Sequence, residues 1–204
     1  MGEDISAGDK ISVAKTDRRV RADAQRNLDA LIEAAKAVFA SSGVDAPVRD
    51  IAEKAGVGVG TVYRHFPQRA DLVAAVFRRE IDACAAAAAS LAATHPPREA
   101  LDLWIERYVV FLATKRGLAT ALHSNNPVYA DLPTRRNGQL IPALKLLLDA
   151  AVATGDVRPG VDPYDLLNAV GSLYMTVHDE ESARSAQRMV SLLLDGLRYG
   201  AKPA

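Results

Sequence analysis

One cysteine, Cys84, occurs among 204 residues. That excludes an internal disulfide and a multi-cysteine metal site. Aromatic side chains make up only 5%, and charge of either sign is not in excess, with 25 basic residues against 25 acidic ones. A nucleic-acid partner cannot be argued from net charge and has to be argued from local placement. No apolar run approaches the roughly 20 residues that span a bilayer. The opening "MGEDISAGDKISVAKTDRRVR" has no signal-peptide apolar core. Its Met-Gly start sits in an acidic tail with no second anchoring feature. The expectation is a cytoplasmic chain without a membrane partner. The histidines His65, His95, His123 and His178 form neither H-x-x-x-H nor Glu-x-x-His. A carboxylate di-iron bundle, the main all-helical enzyme alternative, therefore lacks its ligand spacing. No metal, cofactor or catalytic residue is expected.

What the chain does have is helical periodicity. Hydrophobic residues reach 49% and charged ones 25%, enough for an ordinary globular core. Residues 1–25 are polar and without periodicity, and are expected to be a mobile tail, basic at its end through Arg18, Arg19 and Arg21. From Arg26 onward Leu28, Leu31, Ile32, Ala35, Val38 and Phe39 recur at three- and four-residue steps on one face. "SSG" at 41–43 ends that helix, and "VRDIAEKA" gathers Val48, Ile51, Ala52 and Ala55 on one side. Pro47 suits the first turn of this second helix. A long alanine-rich helix is predicted from Arg69 to Ala92, with further helices near 98–115, 117–124, 133–154, 162–178 and 183–199. Two-residue alternation is never sustained, so no strand is predicted. The expected fold is all-α, with about nine helices.

The stretch "AEKAGVGVGTVYRHFPQR", residues 52–69, crowds Gly56, Gly58 and Gly60 together. A dinucleotide loop needs G-x-G-x-x-G directly after a strand. Here the third glycine of that spacing is Thr61, the preceding segment is helical, and no Gly-Lys-Ser/Thr follows. The flanks fit a helix-turn-helix instead, with a helix at 47–55, a turn at 56–58 and a short helix at 59–66. Gly56 can take the positive φ that ends the first helix. Val62 and Phe66 face inward, while Val59, Gly60, Thr61, Tyr63 and Arg64 lie on the open side, with His65 at its flank. Threonine, tyrosine and arginine on such a helix are side chains that reach bases and phosphates in a major groove.

In "RDIAEKAGVGVGTVYRHFPQRADLV", the pairs Ile-Ala and Gly-Thr, the triplet Ala-Gly-Val and Tyr-x-x-Phe fall in one register. This stretch resembles the DNA-binding domain of the tetracycline-repressor (TetR) family of bacterial transcriptional regulators. The resemblance covers residues 26 to about 78. It implies a homodimer with a DNA-binding domain at 26–72 and an effector-binding and dimerisation domain at 73–204. It further implies that Val59, Gly60 and Thr61 face base edges and that Tyr63 and His65 contact phosphates. Arg69 stands where the family usually has a phosphate-gripping lysine, and arginine keeps that charge. Two positions depart from the family pattern. Pro47 and "GVDAPV" replace a threonine-rich approach to the second helix, and Gly58 replaces a common serine cap.

For the second domain, the resemblance implies an effector space among the later helices. Candidate lining residues are Phe77, Ile81, Trp104, Tyr108, Phe111, Leu122, Leu144, Leu148 and Tyr174, with His123, Asn125 and His178 as polar handles. Such a lining suits a largely apolar effector. The two last helices carry more apolar surface than one core face needs. Leu166, Val170, Leu173, Val190, Leu193 and Leu197 are the candidate dimer contacts, and Gly171 and Ser172 permit close helix approach. The function expected is a ligand-responsive repressor on a pseudo-palindromic operator. The alternatives are an all-helical small-molecule enzyme and a helical interaction module without DNA binding. No spacing of convergent ionisable groups favours the first, and Thr61, Tyr63 and Arg69 argue against the second.

Overall fold

The computed structural model describes residues 7–122, 124 and 126–199, with side chains from residue 24 onward except at 115–117, 119 and 120. Among the described residues there are nine α-helices, one 3-10 turn and no strand. The chain divides into two compact units between Leu72 and Val73.

The first unit opens with α1, Ala7–Ser42. The helix therefore starts well before Arg26, and residues 7–25 continue it rather than forming a non-periodic tail. This stretch holds alanine, lysine and arginine with no proline, so backbone bonding extends the helix without an apolar face to guide it. Leu31, Ala34, Ala35, Val38 and Phe39 of α1 are buried in one stripe. Gly43 ends the helix at φ +78° and donates its N–H to the Phe39 carbonyl at 3.1 Å. Helix α2, Val48–Ala55, packs on α1 and buries Ile51 and Ala52. Pro47 lies one position outside this helix, at its N-cap, with ψ 136°. A proline at the cap position keeps an extended backbone and offers no side-chain hydrogen bond.

The second unit contains most of α4, Arg69–Thr94, followed by α5, Pro97–Gly117, and the short α6, Ala119–Leu122. A 3-10 turn at Pro127–Tyr129 is capped by the Asn126 side chain, which accepts from the Val128 N–H at 3.1 Å. Then come α7, Leu132–Ala153, α8, Pro163–Met175, and α9, Glu180–Gly196. Helix α5 lies at the centre of the unit, packed against α7 and α8, while α9 packs on α8. Pro142 sits within α7 and removes the N–H that would meet the Gly138 carbonyl. Both residues are exposed, so the freed carbonyl is within reach of solvent. Helix α9 begins at Glu180, three residues before its predicted start. Asp179 accepts from the Ser182 N–H at 2.8 Å, and Ser182 Oγ accepts from the Asp179 N–H at 3.0 Å. This reciprocal cap, followed by Glu180 and Glu181 in the first turn, turns an apparent linker into a helix start. Ser182 Oγ also donates to the Asp179 carboxylate at 2.6 Å, and this bond, followed by that from the Ser182 N–H, holds the Asp179 carboxyl below its ordinary range.

Candidate nucleic-acid interface

The turn between α2 and the next helix, α3 (Val59–His65), is built from backbone alone. Gly56 sits at φ 68°, ψ 28°, its N–H bonds to Glu53 O, and the Val57 N–H reaches back to Ala52 O at 3.0 Å. These two bonds satisfy carbonyls that the end of α2 would otherwise leave open. Gly58 then turns the chain at φ -71°, ψ 147°, and its carbonyl accepts from Thr61 N at 2.9 Å. Helix α3 starts with no side-chain cap, as the glycine in place of serine implied.

Burial sorts α3 cleanly into two faces. Val62 is 1% exposed and anchors the helix, with Phe66 half-buried at its end. Val59 is 38% and Tyr63 52% exposed. Gly60, Arg64 and His65 are exposed beside them, and Thr61 is half-buried. A Cβ added at Gly60 would meet nothing, so the site is open at that point.

Arg69 is placed differently from its neighbours. Its Nη1 donates to the carbonyls of Val44 and Ala46, the latter at 2.8 Å, and so pins the α1–α2 connection to the start of α4. The side chain is half-buried. Gln68 N donates to the Asp71 carboxylate at 2.9 Å, which caps the same helix start.

In the second unit the aromatic members of the expected effector lining pack on one another. Trp104, Tyr108 and Phe111 stand along α5 with successive ring centroids 5.8 Å apart, and Phe77 meets Phe111 at 5.3 Å. The Trp104 indole donates to Cys84 O at 2.9 Å and the Tyr108 hydroxyl to Leu167 O at 3.3 Å. Ile81 and Leu144 are fully buried with them. Rings stacked on each other with their polar atoms satisfied fill the space they share. Burial also pushes the Cys84 thiol and the Tyr108 hydroxyl up, each to about 12. Leu122 is half-buried, and His178 is exposed in the α8–α9 connection, its Nδ1 2.9 Å from Thr176 O. His123 and Asn125 lie outside the described residues. Of the candidates, Tyr174 lines a 580 Å³ groove between α5 and α9, and Leu148 borders one of 290 Å³.

The expected dimer residues separate in the same way. Leu166, Val170 and Val190 are buried within the chain, and Leu197, also largely buried, lines the edge of the open α8–α9 cleft. The open apolar face lies one step around each helix. Leu173 and Leu193 are half-buried on it, and Met189 and Leu192 are 45% and 65% exposed. Together with Ala169 and Gly196 they line a shallow, mostly apolar cleft of 590 Å³ across α8 and α9. Periodicity alone counted both faces as one, because Leu and Val appear on each. Met189 and Leu192 belong to the apolar surplus legible in the sequence, but periodicity did not separate them from the buried stripe.

Two arginine clasps fix α4 within the second unit. Arg78 donates to Asp131 at 2.8 Å and to Val128 O at 3.0 Å, and Arg135 forks onto Asp82 with both contacts from Nη2 at 2.8 Å. Arg78 holds the Asp131 carboxyl below its ordinary range. That contribution is therefore present above the ordinary carboxylate range and fades as pH falls through the lowered value. No sequence pattern pointed to these pairs, whose partners lie some fifty positions apart.

A two-helix turn with an outward second helix, joined to a larger helical unit, defines a helix-turn-helix DNA-binding regulator. Comparison with known proteins gives the family. The pattern of the bacterial regulatory proteins of the tetR family matches residues 31–76, and that of the SbtR-like transcriptional-regulator C-terminal domain matches residues 96–199. The chain belongs to the TetR family. A TetR transcriptional regulator from Streptomyces coelicolor is 36% identical, with a TM-score of 0.72 over 83% of this chain and 97% of that one. A TetR regulatory protein from Mycobacterium vanbaalenii is 34% identical, with a TM-score of 0.70 over 88% and 99%. Helix-turn-helix transcriptional regulators of Staphylococcus aureus are 38% identical over 64 residues. That match spans 31% of this chain and 35% of the relatives' own length. No described helix is long and apolar enough to cross a membrane.

Proposed function

We propose that this chain is a homodimeric, cytoplasmic repressor that grips a pseudo-palindromic operator through α3 and lets go when a small effector binds its second unit. The observation that carries the DNA reading is the exposed face of α3, where Val59, Gly60, Tyr63 and Arg64 stand clear while Val62 anchors the helix from behind. Phosphate contacts set position and base contacts set sequence. Arg64 and the Tyr63 hydroxyl take the first role, and Val59, Gly60 and Thr61 the second. Arg69, with Nη1 committed to two carbonyls, acts first as a support for this surface and offers phosphate only its remaining N–H groups.

The effector would act through α4, one unbroken helix from Arg69 to Thr94 that belongs to both units. An effector shifts the equilibrium only by its differential affinity for the two conformations. A coupling of about 1–3 kcal/mol would weaken operator binding some 5- to 150-fold.

Selection from random duplex DNA at low salt should return a pseudo-palindrome, since a two-fold dimer reads two half-sites. Arg64→Ala should lower the slope of log affinity against log salt by about one unit. Tyr63→Phe should weaken binding with the slope kept, because its hydroxyl carries no charge. Thr61→Ala should change the selected bases. Recovery of no symmetric motif would overturn the reading.

A further inference from the structure

Helix α4 carries Arg78 and Asp82 one turn apart, and the start of α7 carries Asp131 and Arg135 one turn apart. The signs run in opposite order on the two elements. Arg78 Nη2 meets Asp131 Oδ1 at 2.8 Å, and Arg135 Nη2 meets both Asp82 oxygens at 2.8 Å. Arg78 also donates to Val128 O of the 3-10 turn at 3.0 Å. This square of charges admits one register. A slide of one helical turn would break both pairs and set Arg78 against Arg135, or Asp82 against Asp131.

Two observations give the square a role beyond cross-linking. Among the described residues, no helix lies as close along α4 as α7 and α8 lie along α5. The ties of α4 across the second unit include long side chains: Phe77 on Phe111, the Trp104 indole on Cys84 O, and the two arginine pairs. A helix held at side-chain length tilts at lower cost than one packed backbone to backbone. The first turn of the same helix holds Arg69, which supports the α1–α2 connection. The pairs are also half exposed, at 34% and 54% for Arg78 and Asp131 and 36% and 47% for Arg135 and Asp82. Such a pair shifts an equilibrium by no more than about fivefold, so the square can open without unfolding the unit.

We propose that Arg78, Asp82, Asp131 and Arg135 form a latch that fixes the tilt of α4 and so pre-sets the DNA-binding unit for its operator. They are positioning residues, since none belongs to the α3 surface. With the latch closed, α4 already has the place that operator binding requires, and less freedom is lost on association. With it open, α4 samples other tilts and the operator has to select one. By linkage, DNA in turn favours the closed latch. The inference rests on the operator reading for its effect at DNA, whereas the latch itself is measured on the chain alone.

The second pair gives the cleaner test, because Val128 takes no part in it. Asp82→Arg, Arg135→Asp and the double reversal are compared with wild type on the duplex recovered by selection. Asp82→Arg sets two guanidinium groups opposite each other and should weaken operator binding about tenfold. The double reversal should return it to within about threefold of wild type. General attraction to DNA predicts the opposite for Asp82→Arg, which makes the chain more positive. A merely structural pair would lower the thermal midpoint in the single variants and leave the affinity of folded protein unchanged. On the chain alone, spin labels at Ala86→Cys on α4 and Leu146→Cys on α7 report the tilt, in protein diluted with unlabelled chain. Cys84 stays unlabelled, being buried with its thiol pushed up to about 12. One distance in the wild-type background should broaden in Asp82→Arg and narrow again in the double reversal. Distances unchanged in Asp82→Arg would overturn the latch, and operator affinity that holds or rises while they broaden would overturn its role at DNA. If selection returns no operator, the distances alone decide for or against the latch.

Discussion

Arg69 joins two carbonyls of the α1–α2 connection, and those carbonyls belong to buried residues, Val44 and Ala46. Removing the guanidinium leaves both acceptors short of a partner, which costs about 1–3 kcal/mol. Arg69→Ala should therefore lower the urea midpoint clearly, whereas Tyr63→Ala, on an exposed side chain, should stay within about 0.5 kcal/mol. Equal stability of the two variants would show that the clasp contributes little and that Arg69 is kept for DNA. The residue identity was legible in the sequence through its register with the family. Its second role was not, because a link across some twenty-five positions leaves no local pattern. The same holds for Trp104 and Tyr108. Aromatic residues at four-residue spacing suit a pocket wall and a core equally, and their stacking and hydrogen bonds to distant carbonyls leave no local pattern.

At the scale of elements, helix order was legible throughout, and errors fell at ends and faces. Residues 7–25 continue α1 because helical backbone needs good propensity, not an apolar stripe. The start of α9 hid in "HDEES", where acids and a serine form a cap rather than a loop. The turn before α3 was read correctly from Gly56, whose φ of 68° lies in the left-handed region. A Cβ there would touch nothing, so Gly56→Ala meets backbone strain alone. The change should destabilise the chain by about 1–2 kcal/mol. In thermal unfolding it should lower the midpoint, while Gly60→Ala, at ordinary helical φ in open space, should hold or raise it. If both alanines behave alike, the left-handed turn is not what fixes α3 against α2.

For the whole molecule the decisive question is which face of α8 and α9 would meet a second copy in the proposed dimer. Leucine and valine supply both the core stripe and the outer one, so the sequence showed a surplus without showing its phase. Burial supplies the phase: Val170 is fully enclosed, while Leu192 and Met189 stand out beside the half-buried Leu173 and Leu193. Two aspartates then give opposite results. Val170→Asp places an unpaired carboxylate inside the chain, a change of several kcal/mol, and should yield unfolded or aggregated protein. Leu192→Asp places its charge in water in the single chain and should leave the helical signal and urea midpoint of the isolated protomer almost intact. In a dimer that same carboxylate would be pressed against an apolar partner face. Sedimentation should therefore show wild-type protein as a dimer at micromolar concentration and Leu192→Asp as a folded monomer. A monomer reads only one half-site, so operator binding should fall steeply although every residue of α3 is unchanged. A folded Leu192→Asp that remains dimeric would move the interface away from this face.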